Sequence, residues 1–145
     1  MIGLIIYMIM SLYHQTQRGI GYLPSYQASG IPFLTSSLNI PNNSSEPIVV
    51  NFETVSRFII VTNTCTDAAN RPFRFGFSRN GVLGVENNNF IVLNNNESFR
   101  EEFRVSKIFL VSDSVFAATG SVVAGLTDIE SSNLINNWSG SLGVG

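Results

Sequence analysis

The stretch PFRFGFS at residues 72–78 places a phenylalanine at every second position. Because side chains alternate between the two faces of a β-strand, Phe73, Phe75 and Phe77 share one face and Arg74 lies on the other. The stretch therefore predicts a strand with one buried face. Its row of three rings predicts the core of a β-sandwich.

The stretch SFREEFRV at residues 98–105 shows the same alternation with one exception. Phe99, Phe103 and Val105 fall on one face of the predicted strand, and Glu101 interrupts that apolar face. A carboxylate on the inward face is a feature of edge strands. We therefore predict that this strand lies at the edge or rim of a sheet.

From residue 47 onward, short apolar runs alternate with Asn, Gly and Ser, and no βαβ alternation is present. The predicted strands are residues 48–52, 57–62, 72–78, 90–93, 98–105, 107–111 and 116–126. Two of them, RFIIV and KIFLV, are nearly continuous apolar runs, which predicts cover on both faces. The sequence thus predicts an all-β fold, a single eight-stranded jelly-roll sandwich with an extended N-terminal arm, and an immunoglobulin-like sandwich is the alternative.

Turn residues set the expected connections. Asn80 and Gly81 tolerate the positive φ of a two-residue type I′ turn, which predicts a hairpin whose return strand starts at residues 82–85. The Asn runs at residues 87–89 and 94–96 predict further turns. Residues 128–138 are a weak helix candidate, because Asp or Ser caps a short turn well.

Residues 1–46 have no sustained periodicity, and we interpret them as an extended arm and linker ahead of a sandwich at residues 47–130 and a tail at 131–145. The opening run MIGLIIYMIMSLY is shorter than the roughly 20 apolar residues of a membrane-spanning helix. We expect it to be buried or covered by a partner, and membrane contact is the less favoured alternative.

The stretch GYLPSYQASGIPF at residues 21–33 is apolar and uncharged, yet Pro24 and Pro32 exclude a regular helix. We expect it to lie extended in a groove, with the rings of Tyr22, Tyr26 and Phe33 buried against neighbouring subunits or its own assembly.

The charge balance argues against nucleic acid as a direct partner. Charged residues make up 12% of the chain, the net charge is −2, and the eight basic residues form no stripe. This charged fraction is about half of the usual one. A surface with so few charges predicts cover by other protein.

Residues for catalysis or metal binding are scarce. His14 is the single histidine and lies in the arm, and Cys65 is the single cysteine, so neither a nucleophile–histidine pair nor a zinc site is expected. The glycines of GFSRNGVLG match no phosphate-binding fingerprint. The sequence therefore predicts a protein that is not an enzyme and needs no cofactor.

Several stretches together match a known family: GYLPSYQASGIPFLTSS, RFIIVTNT, RPFRFGFSRNGVLG, NNNFIVLNNNESF, VSKIFLVSD, VVAGLTDI and the closing NNWSGSLGVG. In them the chain resembles the small single jelly-roll penton or minor capsid proteins of large icosahedral double-stranded DNA viruses. The resemblance implies a structural subunit of the virion capsid, assembled in the infected host cell. It also implies a homopentamer that closes five-fold vertices and packs against major and minor capsid proteins.

In this interpretation the interface residues are apolar residues of the arm, arginines that meet carboxylates of neighbours, and the single tryptophan. They are Tyr22, Leu23, Pro24, Tyr26, Ile31, Pro32, Phe33, Leu34, Arg57, Arg74, Arg100, Arg104 and Trp138. The alternative function is a carbohydrate- or receptor-binding sandwich of a fibre or spike, with exposed Tyr or Trp at its binding site. An enzyme of the cupin type is a weaker alternative, since it needs several histidines.

Overall fold

The computed structural model describes residues 30–85 and 88–133, and most of them lie in two antiparallel sheets. The strands are β1 (Ile31–Ile40), β2 (Ile48–Asn51), β3 (Thr54–Asn63), β4 (Phe73–Gly76), β5 (Ile91–Leu93), β6 (Ser98–Glu101), β7 (Lys107–Ser112) and β8 (Ala118–Glu130). The first sheet has the order β1-β8-β3-β6 and the second the order β2-β7-β4-β5. The predicted all-β sandwich is confirmed.

The core lies between the inner faces of the two sheets. Phe73 and Phe75 of β4 are almost completely buried, as are Ile59 of β3 and Leu110 of β7. Phe77 is half-buried and its ring meets that of Phe103 edge-on, with 5.7 Å between centroids. The row of three rings predicted from PFRFGFS is thus confirmed.

The predicted position of SFREEFRV is confirmed as well, although the strand is shorter than predicted. β6 ends at Glu101 and is an edge strand of the first sheet. Phe99 and Phe103 pack against the core, Val105 is buried, and Glu101 is exposed to solvent. The carboxylate is tolerated on the inward face because the sheet ends there.

The predicted boundary between arm and sandwich is wrong. Ile31–Ile40 forms β1, which pairs with β8, so the sandwich begins well before residue 47. The strand escapes a periodicity test because its register shifts between Thr35 and Leu38, where Ser37 has a φ of 54°. An extra residue there reverses the inward and outward positions along the strand.

The predicted Asn80-Gly81 hairpin is also wrong. Arg79–Leu83 forms a short helix, α1, and the chain returns to the sheet only at β5. Ser78 caps the helix by accepting a hydrogen bond from the Gly81 amide, and Gly84 ends it with a φ of 72°. A serine cap three residues before Gly81 thus favours a helix where Asn-Gly alone favours a turn.

The helix predicted at residues 128–138 is wrong over its first half. β8 continues to Glu130, and a single 3₁₀ turn follows at Ser131–Asn133. The rest of that prediction lies outside the described residues. The turn predicted at residues 94–96 is confirmed, since Asn96 has a φ of 64° between β5 and β6.

The buried Asn63 joins the two sheets at one end of the sandwich. From β3 of the first sheet, its Nδ2 donates to the carbonyls of Leu93 on β5 and of Arg71, each at 2.9 Å. Its Oδ1 accepts from the Cys65 amide at 3.0 Å. One side chain thus hydrogen-bonds three backbone groups at this end of the sandwich.

We expect the substitution Asn63→Leu to lower the free energy of unfolding by about 3 kcal/mol, because it leaves several buried backbone groups without partners. Urea denaturation of the full chain measures this. The matched control is Asn39→Leu on the exposed part of β1, which should change stability by about 0.5 kcal/mol or less. A loss below about 1 kcal/mol for Asn63→Leu would contradict the role of this residue.

The glycine that ends α1 gives a second testable prediction. Gly84→Ala should cost about 1–2 kcal/mol because an alanine resists the left-handed conformation, and Gly84→Asn should cost less because asparagine tolerates it. Thermal unfolding of the two variants tests the order. An alanine variant as stable as the parent chain would show that α1 does not end in this way.

Candidate interaction surfaces

The outer face of the first sheet carries an unusual apolar patch. Directly paired residues on neighbouring antiparallel strands point to the same side of a sheet. Leu34 pairs with Val123, which pairs with Ile60, and Pro32 pairs with Gly125, which pairs with Phe58. We call these six residues the apolar half-face. Leu34 is 72% exposed there.

Within this half-face, Phe58 lies over the glycine of the neighbouring strand. A methyl group on Gly125 would overlap the Phe58 ring, so the absent side chain is what allows the ring to lie across β8. The guanidinium of Arg100 stands 5.5 Å from the same ring at the border of the half-face. Phe58 and Ile60 stay half-exposed, so the cover on both faces predicted for RFIIV is incomplete in the described residues.

The other half of the same outer face is polar. Its residues are Asn39 of β1, Thr119 and Ser121 of β8, Thr62 of β3 and Ser98 of β6. The hydroxyls of Thr62 and Ser98 lie 2.6 Å apart. Each strand of this outer face is thus apolar toward one end and polar toward the other. The apolar half lies next to the point where the chain enters β1.

α1 covers part of the outer face of the second sheet. α1 lies against β4 and β7, and Val82 of α1 and Val111 of β7 are fully buried. Arg74 adds to this cover, since its guanidinium lies 4.6 Å from the Phe90 ring and donates to the Asp113 carboxylate. The two outer faces therefore differ. α1 covers part of the second one, where Val49 and Val92 stay exposed, and the described elements form no such layer over the first.

Four loops meet at one end of the sandwich, which we call the loop end. They are residues 41–47, 64–72, 94–97 and 113–117. Backbone hydrogen bonds tie them together, for example from Asn43 to Ser114 at 3.0 Å and from Asp113 to Pro72 at 3.0 Å. Asn95 also donates to the carbonyls of Asp67 and Ala69. The loop end is therefore a fixed surface.

An apolar tip projects from the loop end. Val115 is 70% and Phe116 54% exposed. The hydroxyl of the buried Ser112 donates to the Phe116 carbonyl at 2.6 Å, and the Ser114 hydroxyl accepts from the Phe116 amide at 3.2 Å. The Arg71 guanidinium lies 4.2 Å from the Phe116 ring. Two large apolar side chains are thus held in solvent by a rigid loop, as at contact sites between proteins.

The predicted interface residues fall into three groups. Ile31, Pro32, Leu34, Arg100 and Arg104 are exposed, and Arg57 is half-exposed. Phe33 packs inward, edge-on to Phe52 at 4.9 Å, and Arg74 pairs with Asp113 of its own chain. Tyr22, Leu23, Pro24, Tyr26 and Trp138 lie outside the described residues.

Sequence reasoning missed Val115 and Phe116. It placed Phe116 at the start of a strand, which begins only at Ala118. The available signal was SDS at residues 112–114, because serine and aspartate side chains hold tight turns rather than strands. A turn signal directly before an apolar pair identifies such a tip.

The charged side chains at the surface form local pairs. Arg79 of α1 hydrogen-bonds the Glu46 carboxylate of the first loop, and this bond holds the pKa of Glu46 below its usual value. The pair is fully exposed and contributes little to stability. In residues 30–85 and 88–133, no three metal-binding side chains come together and no helix is long and apolar enough to span a bilayer.

Comparison of this chain with protein-family models, with characterised proteins and with solved structures finds no match.

Proposed function

We propose that this protein is a structural capsid subunit with a single jelly-roll fold. In this proposal five copies form a ring that closes a five-fold vertex of an icosahedral virus shell. The ring packs against major and minor capsid proteins in the virion, and the chain has no catalytic role. The resemblance described above suggests this role, and three properties of the described residues support it.

The strand pairing supports the jelly-roll part of the proposal. β1 pairs with β8, β2 with β7, β3 with β6 and β4 with β5, as in one long antiparallel ribbon. The further pairs β3–β8 and β4–β7 roll this ribbon into two sheets. Eight strands in two such sheets are typical of jelly rolls, which include viral capsid domains.

The observation that carries the assembly part is the apolar tip at the loop end. A ring of identical subunits needs two different surfaces on each copy that fit each other. Val115 and Phe116 offer one such surface, since they are apolar, adjacent and fixed before any partner binds. A preorganised tip loses little entropy on assembly, which favours a permanent contact.

The interior of the sandwich supports a structural role over an enzymatic one. Its buried polar residues in the described part are Ser56, Asn63, Ser112 and Thr127. These side chains bind backbone groups of their own chain, as Ser56 does with the Phe103 carbonyl at 2.6 Å. Jelly rolls of the cupin type instead surround a metal with histidines, and His14 of the arm is the single histidine here.

The alternative of a carbohydrate- or receptor-binding module receives less support. Such sites commonly stack sugars on exposed tryptophan or tyrosine. Among the described residues, Phe116 is the large exposed aromatic of the loop end, and its ring lacks the polar group of Tyr or Trp. The tip is therefore better suited to an apolar protein contact.

Native mass spectrometry of the purified full chain tests the proposal. We expect a particle of about 80 kDa, five copies of the 15.9 kDa chain. The double variant Val115→Ser and Phe116→Ser should dissociate it, because the apolar contact is lost. Val85→Ser is the matched control, since Val85 is 66% exposed and lies away from the loop end.

A chain that stays monomeric at concentrations near 1 mM, a level at which contacts of about 4 kcal/mol form, would contradict the proposal. Monomers that bind a glycan array through Phe116 or Trp138 would favour the alternative. A pentamer that is insensitive to the double variant would keep the ring and exclude the tip as its contact.

A further inference from the structure

We propose that residues 1–29 fold back over the first sheet and cover the apolar half-face of their own chain. The proposal concerns a contact within one subunit. It holds or fails independently of the capsid role proposed above.

The half-face needs a cover of a particular chemistry. An outer face that meets water normally carries polar side chains. Here Pro32, Leu34, Phe58, Ile60 and Val123 occupy the outward positions instead. Arg100, which pairs with Ile60, is the charged residue on the paired rows that form it, and the exposed Glu102 follows beyond the end of β6. An occupant should therefore be apolar and nearly uncharged.

Most of residues 1–29 has this chemistry, and the polar run HQTQRG at residues 14–19 separates its two apolar stretches. The segment contains the run MIGLIIYMIMSLY and the stretch GYLPSYQAS, and Arg18 is its single formal charge. Segments of this composition are rarely left in water. The polar half of the outer face would therefore be a poor surface for this segment, and the apolar half-face is a good one.

The chain connection places residues 1–29 next to the apolar half-face. The segment joins the sandwich at Gly30, directly before Pro32 and Leu34 of the half-face. The backbone of Gly30 already touches that of Gly125, since a methyl group on Gly30 would overlap it. A segment tethered at the border of its site has an effective concentration in the millimolar range, which favours its own chain over another copy.

Residues 1–29 are long enough to cross the first sheet. An extended stretch of nine residues, such as 21–29, spans about 30 Å, whereas four strands measure about 14 Å across. The other outer face shows the same solution within this chain, because residues between β4 and β5 fold back as α1 and bury Val82 against the second sheet. The proposed cover gives the first sheet an equivalent layer.

Photo-crosslinking of the full chain tests this contact. Benzoylphenylalanine at position 34 should link to residues 1–29 of the same chain, as identified by proteolysis and mass spectrometry. Position 49 is the matched control, since Val49 is 41% exposed on the edge strand of the second sheet and should not make this link. An equal mixture of isotope-labelled and unlabelled protein separates links within a chain from links between copies.

Links confined to chains of the same label support the proposal. Links from position 34 mainly to a differently labelled copy would overturn it and assign the cover to another subunit. Links only to residues 31–133, or none above those from position 49, would overturn it by showing that residues 1–29 lie elsewhere.

Limited trypsin digestion gives a second readout that does not need the crosslinker. Arg18 is the one trypsin site in residues 1–29. Leu34→Asp should accelerate cleavage there by about tenfold or more, because a charge on the half-face releases the segment. Val49→Asp should leave the rate unchanged. Equal rates in the parent chain and the Leu34→Asp variant, with both proteins folded by circular dichroism, would overturn the proposal.

Discussion

The apolar layer between the two sheets is the constraint on which the rest of the structure depends. Of the connections between successive strands, only β4 to β5 stays within one sheet, so all the others cross between sheets. The sheets share no continuous ladder of backbone hydrogen bonds, and the packing of residues such as Phe73 and Leu110 keeps them face to face. Asn63 adds a polar link where the apolar layer ends.

The sequence was informative wherever a strand keeps a strict period of two. PFRFGFS identified buried rings because its alternation is uninterrupted, and SFREEFRV identified an edge strand because Glu101 is the one exception to its alternation. β1 was missed because a shift of register at Ser37 breaks its pattern. α1 was missed because its formation depends both on the cap at Ser78 and on packing against β4 and β7. The apolar half-face was beyond sequence reasoning, since it forms from three strands whose register is known only in the folded chain.

The two outer faces and the loop end divide the surface into parts with different tasks. One outer face is partly covered by α1, with Val82 beneath it. The other exposes an apolar half, and the proposed occupant of that half is the segment that enters β1. The loop end then offers the remaining fixed apolar contact.

The pairing of β1 with β8 has a consequence for folding during synthesis. β8 lies between β1 and β3, so these two strands have no partner in common until the last strand leaves the ribosome. At about 5–20 residues per second, the chain waits several seconds with its early strands unpaired. Contacts between such distant residues also close slowly. β1 therefore takes its place in the first sheet only after β8 has been synthesised.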